Sequence, residues 1–371
     1  MNKKLGFGFM RLPEKELEGN KTIDTEQVNK MVDTFIERGF TYFDTAYMYH
    51  NYKSEEILRE ALVKRYPRDK FTIATKMPLM SVKEEEDLER IFKEQLQKTG
   101  VEYFDYYLLH NVNTSSYETA KKFHAFSFIQ KKKEAGLIKK IGFSFHDSAD
   151  LLDEVLLANP QVDFVQLQIN YLDWDNKSIQ SRKCYEIADK HNKPVIVMEP
   201  IKGGSLVNIP DKAKELLKSH RPDMSIASWA IRYAASLEKV QMVLSGMSNI
   251  DQINDNVSFM EQFEPLDEDE NITLAKVLNI INEAVVIPCT ECLYCLEGCP
   301  KGIPIPSFFA LYNVDKQAKP SGFSIQKAYY QNISKNSAKA SDCIECGKCE
   351  VACPQHIKII HWLKEVAKEF E

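Results

Sequence analysis

The sequence predicts an α/β chain in which a (β/α)8 barrel precedes a small cysteine-rich module, and two patterns predict it. Between residues 5 and about 260, short β-branched and aromatic runs alternate eight times with amphipathic stretches, the signature of βαβ units and a parallel sheet. Eight of the nine cysteines then crowd between Cys289 and Cys353. Two closures of the alternating part compete. An open doubly wound sheet calls for G-x-G-x-x-G after its first strand. Leu5-Gly6-Phe7-Gly8-Phe9-Met10 has two of those glycines, no third, and no helix directly after it. Eight repeats over this span match the closed barrel.

The strand candidates are 5–9, 41–44, 71–76, 104–109, 139–143, 163–168, 195–199 and 240–244. Helical periodicity covers 25–39, 53–65, 84–99, 117–135, 148–158, 176–191, 223–235 and 249–260. Asp24-Thr25 precedes the first helix and Gly39 follows it, Ser54 with Glu56 opens the second, and Gly136 ends the fourth. Around 261–270 the chain turns acidic and irregular, and a further helix over 270–285 leads to the first cysteine. The expected boundary falls near 285, giving a barrel over 1–285 and a cysteine module over 286–371.

Composition bounds the function. Apolar residues are 44%, charged residues 27% and the net charge is −6, so no global basic surface invites nucleic acid. The N-terminus lacks the apolar core of a signal peptide, and no uncharged run reaches the length of a membrane span. The expectation is a cytoplasmic protein. A long region with one cysteine before a dense cluster reads as metal ligation in a reducing compartment, not as a disulfide scaffold.

Both cysteine runs read C-x2-C-x2-C-x3-C-P. The first places Cys289, Cys292, Cys295 and Cys299 before Pro300; the second places Cys343, Cys346, Cys349 and Cys353 before Pro354. Such spacing wraps three thiolates around one iron–sulfur cube while the fourth reaches the other cube, and soft sulfur suits iron. Cluster one is expected on Cys289, Cys292, Cys295 and Cys353, and cluster two on Cys343, Cys346, Cys349 and Cys299. Two zinc sites are the competing reading. The runs resemble bacterial two-cluster ferredoxins, although 43 residues separate Cys299 from Cys343, more than in the compact ferredoxin pattern. Cys184, alone in a predicted helix, reads as a buried spectator.

In a barrel, catalytic groups sit at the C-terminal ends of strands. Asp44, Lys76 and His110 end the second, third and fourth predicted strands, and Tyr49 follows on the loop above Asp44. With D-T-A-x-x-Y over 44–49 and the strand-end Lys and His in order, residues 5–260 resemble the aldo-keto reductases. The resemblance implies that Tyr49 is the general acid for a carbonyl oxygen. Lys76 would lower the phenol's pKa, Asp44 would orient Lys76, and His110 would align the carbonyl. It also implies a nicotinamide cofactor held by Ser144 and Gln168, with Met198 where the family stacks a tyrosine and Phe145 where it has an asparagine. Ser245, Gly246, Asn249 and Asn256 would hold the adenosine end. The family's 2′-phosphate-binding Lys and Arg align with Gly246 and Gln252, so NAD, NADP and even flavin mononucleotide (FMN) stay open.

Three functions follow. One is an oxidoreductase coupling a nicotinamide- or flavin-dependent carbonyl/alcohol site to electron transfer through two [4Fe–4S] clusters. The second is an ordinary NAD(P)H-dependent carbonyl reductase whose clusters only staple the C-terminus. The third is a non-enzymatic electron-transfer or redox-sensing partner. The expected partners are a small carbonyl or alcohol substrate and an electron-transfer protein, with neither nucleic acid nor membrane.

Overall fold

The computed structural model describes residues 3–17, 19–176, 179–283, 286–287, 289, 293–317, 324–353 and 357–371; Cys292 and Pro354 lie outside them. The chain forms two compact units. The first comprises Met1–Trp174, Ile179–Pro200 and Ala227–Leu266, and the second Asp175–Ser178, Ile201–Ile226 and Asp267–Glu371.

The first unit is the barrel. Its strands are β1 (Leu5–Gly8), β4 (Tyr42–Asp44), β5 (Thr72–Met77), β6 (Phe104–Val112), β7 (Ile138–Phe145), β8 (Phe164–Gln168), β9 (Val195–Met198) and β10 (Val240–Ser245). Their order is β1-β10-β9-β8-β7-β6-β5-β4, closed between β4 and β1, with parallel neighbours throughout. All eight strands expected from the sequence are present. Period-two alternation sorts the side chains. Tyr42, Ala74, Leu108, Phe164, Ile196, Met242 and Leu244 form one core cluster. Phe7 and Phe43 face the other way, onto Phe35, with ring centroids 5.7 and 5.4 Å from it. Phe35 belongs to helix Thr25–Glu37, whose buried face is Val28, Met31, Val32 and Phe35, the i, i+3, i+4, i+7 stripe of a helix docked on a sheet. Gly142 on β7 is a close approach: a Cβ there would lie 2.5 Å from the Phe164 carbonyl oxygen.

Several elements differ from expectation. β2 (Glu14–Leu17) and β3 (Asn20–Ile23) form an antiparallel hairpin between β1 and the first helix; the exposed Glu-Lys-Glu-Leu of β2 carries no apolar alternation. The helix expected over 117–135 is two, Thr114–Lys122 and Ala125–Glu134, parted at left-handed His124. The helix expected from 176 starts only at Ser181. β6 runs past its expected end, with a register shift between Leu109 and Val112 that includes His110, as at a β-bulge.

In the second unit, helices Asp211–His220 and Glu268–Glu283 are joined by Arg221, 3.0 Å from the buried Glu270 carboxylate, and by Thr273 to His220 at 3.2 Å. Helix Asp211–His220 was not foreseen. Helices Ile305–Gln317, Ile325–Ile333 and Ile359–Phe370 meet around Phe308, Tyr330 and Phe370, with Phe308 and Tyr330 centroids 4.4 Å apart. The cysteine runs carry short helices at matching places, Tyr294–Glu297 and Lys348–Ala352, each preceded by a left-handed residue, Leu293 and Gly347. These halves approach closely: a Cβ on Gly298 would lie 3.6 Å from the Lys348 Cβ. The long spacer forms the helices around residues 305–333, so the two runs still meet.

Candidate active site and cysteine cage

Lys76 is completely buried. Its Nζ donates to Asp44 Oδ1 at 2.7 Å and to the Thr45 carbonyl oxygen at 2.7 Å, and lies 5.2 Å from the Tyr49 ring centroid. The Tyr49 and His110 rings meet edge to face, 6.0 Å apart. The four expected rim residues are therefore assembled in one place. Burial pulls the Lys76 ammonium down, but Asp44 and Tyr49 outweigh it and the net shift is up; the lysine stays charged. Burial raises the Asp44 carboxyl against the opposing pull of Lys76. Lys76 pulls the Tyr49 phenol down as expected, but burial raises it further and the net shift is up. Desolvation, then Lys76 and His146, push His110 down to about 3, and its Nδ1 has no partner among the described residues.

The expected nucleotide residues line the ends of β7, β8, β9 and β10. Ser144 Oγ accepts from the Asn111 N–H at 2.8 Å. Gln168 donates to Asp173 at 2.7 Å, while its buried Oε1 is unpartnered among the described residues, an acceptor suited to a carboxamide. The Met198 sulfur accepts weakly from Gln166 at 3.5 Å. Asn256 donates to Ser245 Oγ at 2.9 Å. Asn249 caps helix Ile250–Met260 by accepting from the Gln252 N–H at 2.9 Å, and Gln252 Oε1 accepts in return from the Ser248 N–H at 2.7 Å. Gly246 lies under Arg11, whose side chain would be 3.3 Å from a Cβ placed there. The aliphatic stem of Arg11 thus packs beside a position where the sequence alone showed no basic residue.

In the second unit, Cys299, Cys343, Cys346 and Cys349 line one small cavity, walled by Ile303, Ile305, Ile344, Ile360 and Leu363. This is the set expected for cluster two. Among the described residues no three Cys, His, Asp or Glu side chains converge as ligands of a single ion. Four thiols spread around an apolar cavity fit a polynuclear cube better than a lone zinc. Cys289, Cys295 and Cys353 of the other set are described, the last two buried.

Comparison with known proteins bears directly on this geometry. The model of the Aldo/keto reductase family matches residues 4–279. The chain belongs to the aldo/keto reductase family. The model of the 4Fe-4S dicluster domain matches residues 288–357 of this reductase. It is an NAD(P)H-dependent oxidoreductase with a C-terminal 4Fe–4S module. It is 24% identical over 290 residues to the uncharacterized oxidoreductase YqkF of Bacillus subtilis, covering 69% of this chain and 89% of that one. It is 24% identical over 281 residues to a 9,11-endoperoxide prostaglandin H2 reductase of Trypanosoma cruzi, covering 71% and 90%. In fold it resembles an aldo-keto reductase of Bacillus halodurans (TM-score 0.58, 23% identity, 74% and 91% covered). A Klebsiella pneumoniae aldo/keto reductase in complex with NADP and acetate is similar too (TM-score 0.58, 17% identity, 76% and 95% covered).

The reductase also holds site features that sequence reasoning missed. His50, Asn51 and Tyr52, directly after Tyr49, are left-handed, with φ of 50, 53 and 67°, and His50 Nε2 accepts from the Leu12 N–H at 3.2 Å. Three such residues in a row leave no trace in hydrophobic periodicity. Ser54 does not cap its helix; its Oγ meets Thr45 Oγ1 at 2.8 Å and donates to the Phe9 carbonyl at 3.2 Å. His146, one residue beyond β7, is pushed down to about 4 by burial. Cys184 is buried and its thiol is pushed up to about 12 by burial, which fits the spectator reading.

Proposed function

We propose that this aldo/keto reductase interconverts a small carbonyl compound and its alcohol at the Tyr49 site and exchanges electrons through two [4Fe–4S] clusters. The observation that carries the catalytic half is the Lys76 ammonium, fixed by Asp44 and Thr45 beneath the Tyr49 ring with His110 at its edge. A bound nicotinamide supplies the hydride. The Tyr49 hydroxyl gives its proton to the carbonyl oxygen, and the charged Lys76 stabilises the phenolate left behind. His110, neutral at working pH, donates one N–H to the same oxygen and orients it. Ser144 and Gln168 would hold the carboxamide and Met198 would lie against the ring. Ser245, Gly246, Asn249 and Asn256 would line the adenosine end, where Arg11 offers a phosphate partner. NADP is the complexed nucleotide of the Klebsiella relative; FMN in the same pocket is the alternative.

The clusters would occupy the two four-cysteine sets, with the functional boundary at 285–286 and the reductase in the cytoplasm. Among the described residues no helix is long and apolar enough to cross a membrane. Cys346 is exposed, which favours electron exchange with a protein partner. The apolar wall of the cage favours a second reading, in which the clusters brace the C-terminal unit.

Anaerobically reconstituted protein tests both halves. About eight irons per chain, bleaching of the cluster absorbance by NADPH or NADH, and loss of that bleaching in Tyr49→Phe support the coupled reading. Carbonyl reduction that persists in Cys346→Ser, with no bleaching in the parent, leaves the clusters structural. A flavin spectrum identifies FMN.

A further inference from the structure

Behind the strand ends that carry Lys76 and His110 lies a closed polar knot with no part in the chemistry above. Glu55, on helix Ser54–Leu58, is fully buried. Its Oε1 accepts from Thr75 Oγ1 at 2.6 Å and from Gln95 Nε2 at 2.7 Å. The same Gln95 nitrogen lies 3.1 Å from the Lys76 carbonyl oxygen, and Gln95 Oε1 accepts from the Tyr107 hydroxyl at 2.5 Å. One carboxylate thus joins the segment after Tyr49, the strand that carries Lys76 and, through Gln95, the strand that carries His110. Its other oxygen, Oε2, has no partner among the described residues. A buried acid with half its acceptor capacity unused is costly, and an apolar side chain would fill the space without that cost.

We propose that Glu55 is a positioning residue for Lys76: ionised, it draws Thr75 and Gln95 together and through Gln95 fixes the carbonyl of Lys76, and on taking a proton it loosens that hold. The inference rests on the reading that Lys76 serves Tyr49. Burial pushes the Glu55 carboxyl up to about 7, so the change falls in the working range. The groups facing it are Thr75 on β5, Tyr107 on β6, and Gln95, Lys98 and Glu94 on helix Glu86–Thr99. Hydrogen bonds from Thr75 and Gln95 and the charge of Lys98 favour ionisation, and Glu94 opposes it. Tyr107 is held protonated by its own burial. Above pH about 7 the bonds to Oε1 are charge-assisted and therefore stronger; below it they are bonds between neutral groups.

The test uses the reconstituted full chain, with 4-nitrobenzaldehyde and NADPH or NADH, across the neutral range. In the parent, kcat should rise roughly fivefold through pH about 7 while KM stays constant. Glu55→Gln, neutral and of the same shape, should run flat at the low-pH level. A purely architectural Glu55 would change the melting temperature and lower kcat at every pH without removing the inflection, and that result overturns the proposal. Infrared titration gives a readout free of turnover: a protonated carboxylic acid band should titrate near neutrality, vanish in Glu55→Gln and move to higher pH in Gln95→Leu. If neither nucleotide is turned over, the carbonyl-reductase reading fails. The infrared arm then decides alone, and a Glu55 that stays ionised throughout overturns the clamp.

Discussion

The buried Asp44–Lys76 pair makes a quantitative prediction for a double-mutant cycle. Lys76 has no exposed surface; its ammonium donates to Asp44 Oδ1 and the Thr45 carbonyl and also meets the Tyr49 hydroxyl. Asp44→Leu leaves that charge in the barrel with neutral partners only, which should cost about 3–5 kcal/mol. Lys76→Met leaves the Asp44 carboxyl without a donor on either oxygen, since Oδ2 already has none among the described residues. The acid can protonate, so the expected cost is smaller, about 2–3 kcal/mol. The double variant replaces the pair by apolar groups of similar volume and should return to within about 1 kcal/mol of the parent. The coupling energy is then about 4 kcal/mol or more. Guanidinium unfolding followed by fluorescence reports on the barrel unit through Trp174 and Trp229, which both lie in it. Turnover should fall at least about a hundredfold in all three variants, because stability returns in the double variant but the proton-holding charge does not. Single variants that each cost under about 1 kcal/mol and simply add would refute the reasoning, because the pair would then be neither dry nor coupled.

Further outcomes follow from other residues. Gly142→Ala places a methyl 2.5 Å from a backbone oxygen that cannot move aside, so thermal unfolding should show a loss of about 2–3 kcal/mol; an unchanged melting temperature would contradict the close approach. His110 is pushed down from 6.5 to about 3, so the unfolded chain binds one proton more between those values. Barrel stability should therefore fall as pH drops through that window, and His110→Gln should flatten the slope of a pH series of unfolding curves. Arg11→Met should weaken NADPH or NADH binding about tenfold in a calorimetric titration through loss of a charge-assisted phosphate contact; equal affinities would remove Arg11 from the nucleotide site.

The sequence showed the barrel because its strands are buried apolar runs and its helices carry apolar stripes, as in Val28, Met31, Val32 and Phe35. It showed Asp44, Lys76 and His110 because barrel topology alone puts strand ends on one rim. The β2–β3 hairpin was illegible because β2 is exposed and mostly charged, so its pairing depends on backbone bonds and not on an apolar face. The net rise of the Tyr49 phenol was not legible because charge proximity can be guessed from a motif, whereas desolvation depends on how closely the walls fit. Glu55 was hidden for a related reason. An acid in the first turn of a helix ordinarily faces water and complements the dipole, and only the packing of β5, β6 and helix Glu86–Thr99 encloses it. Arg11 and Gly246 stand far apart in the chain and meet only because β1 and β10 are neighbours.

The left-handed run His50-Asn51-Tyr52 sets a trade-off for this fold's owner. His50 and Tyr52 each raise the folded state by about 1–2 kcal/mol, Asn51 by less, and the rest of the barrel must absorb that tension. Glycine at position 52 would relieve part of it and yield a sturdier protein. The same exchange would loosen the segment beside Tyr49, so selection for heat resistance and selection for turnover should favour different residues there.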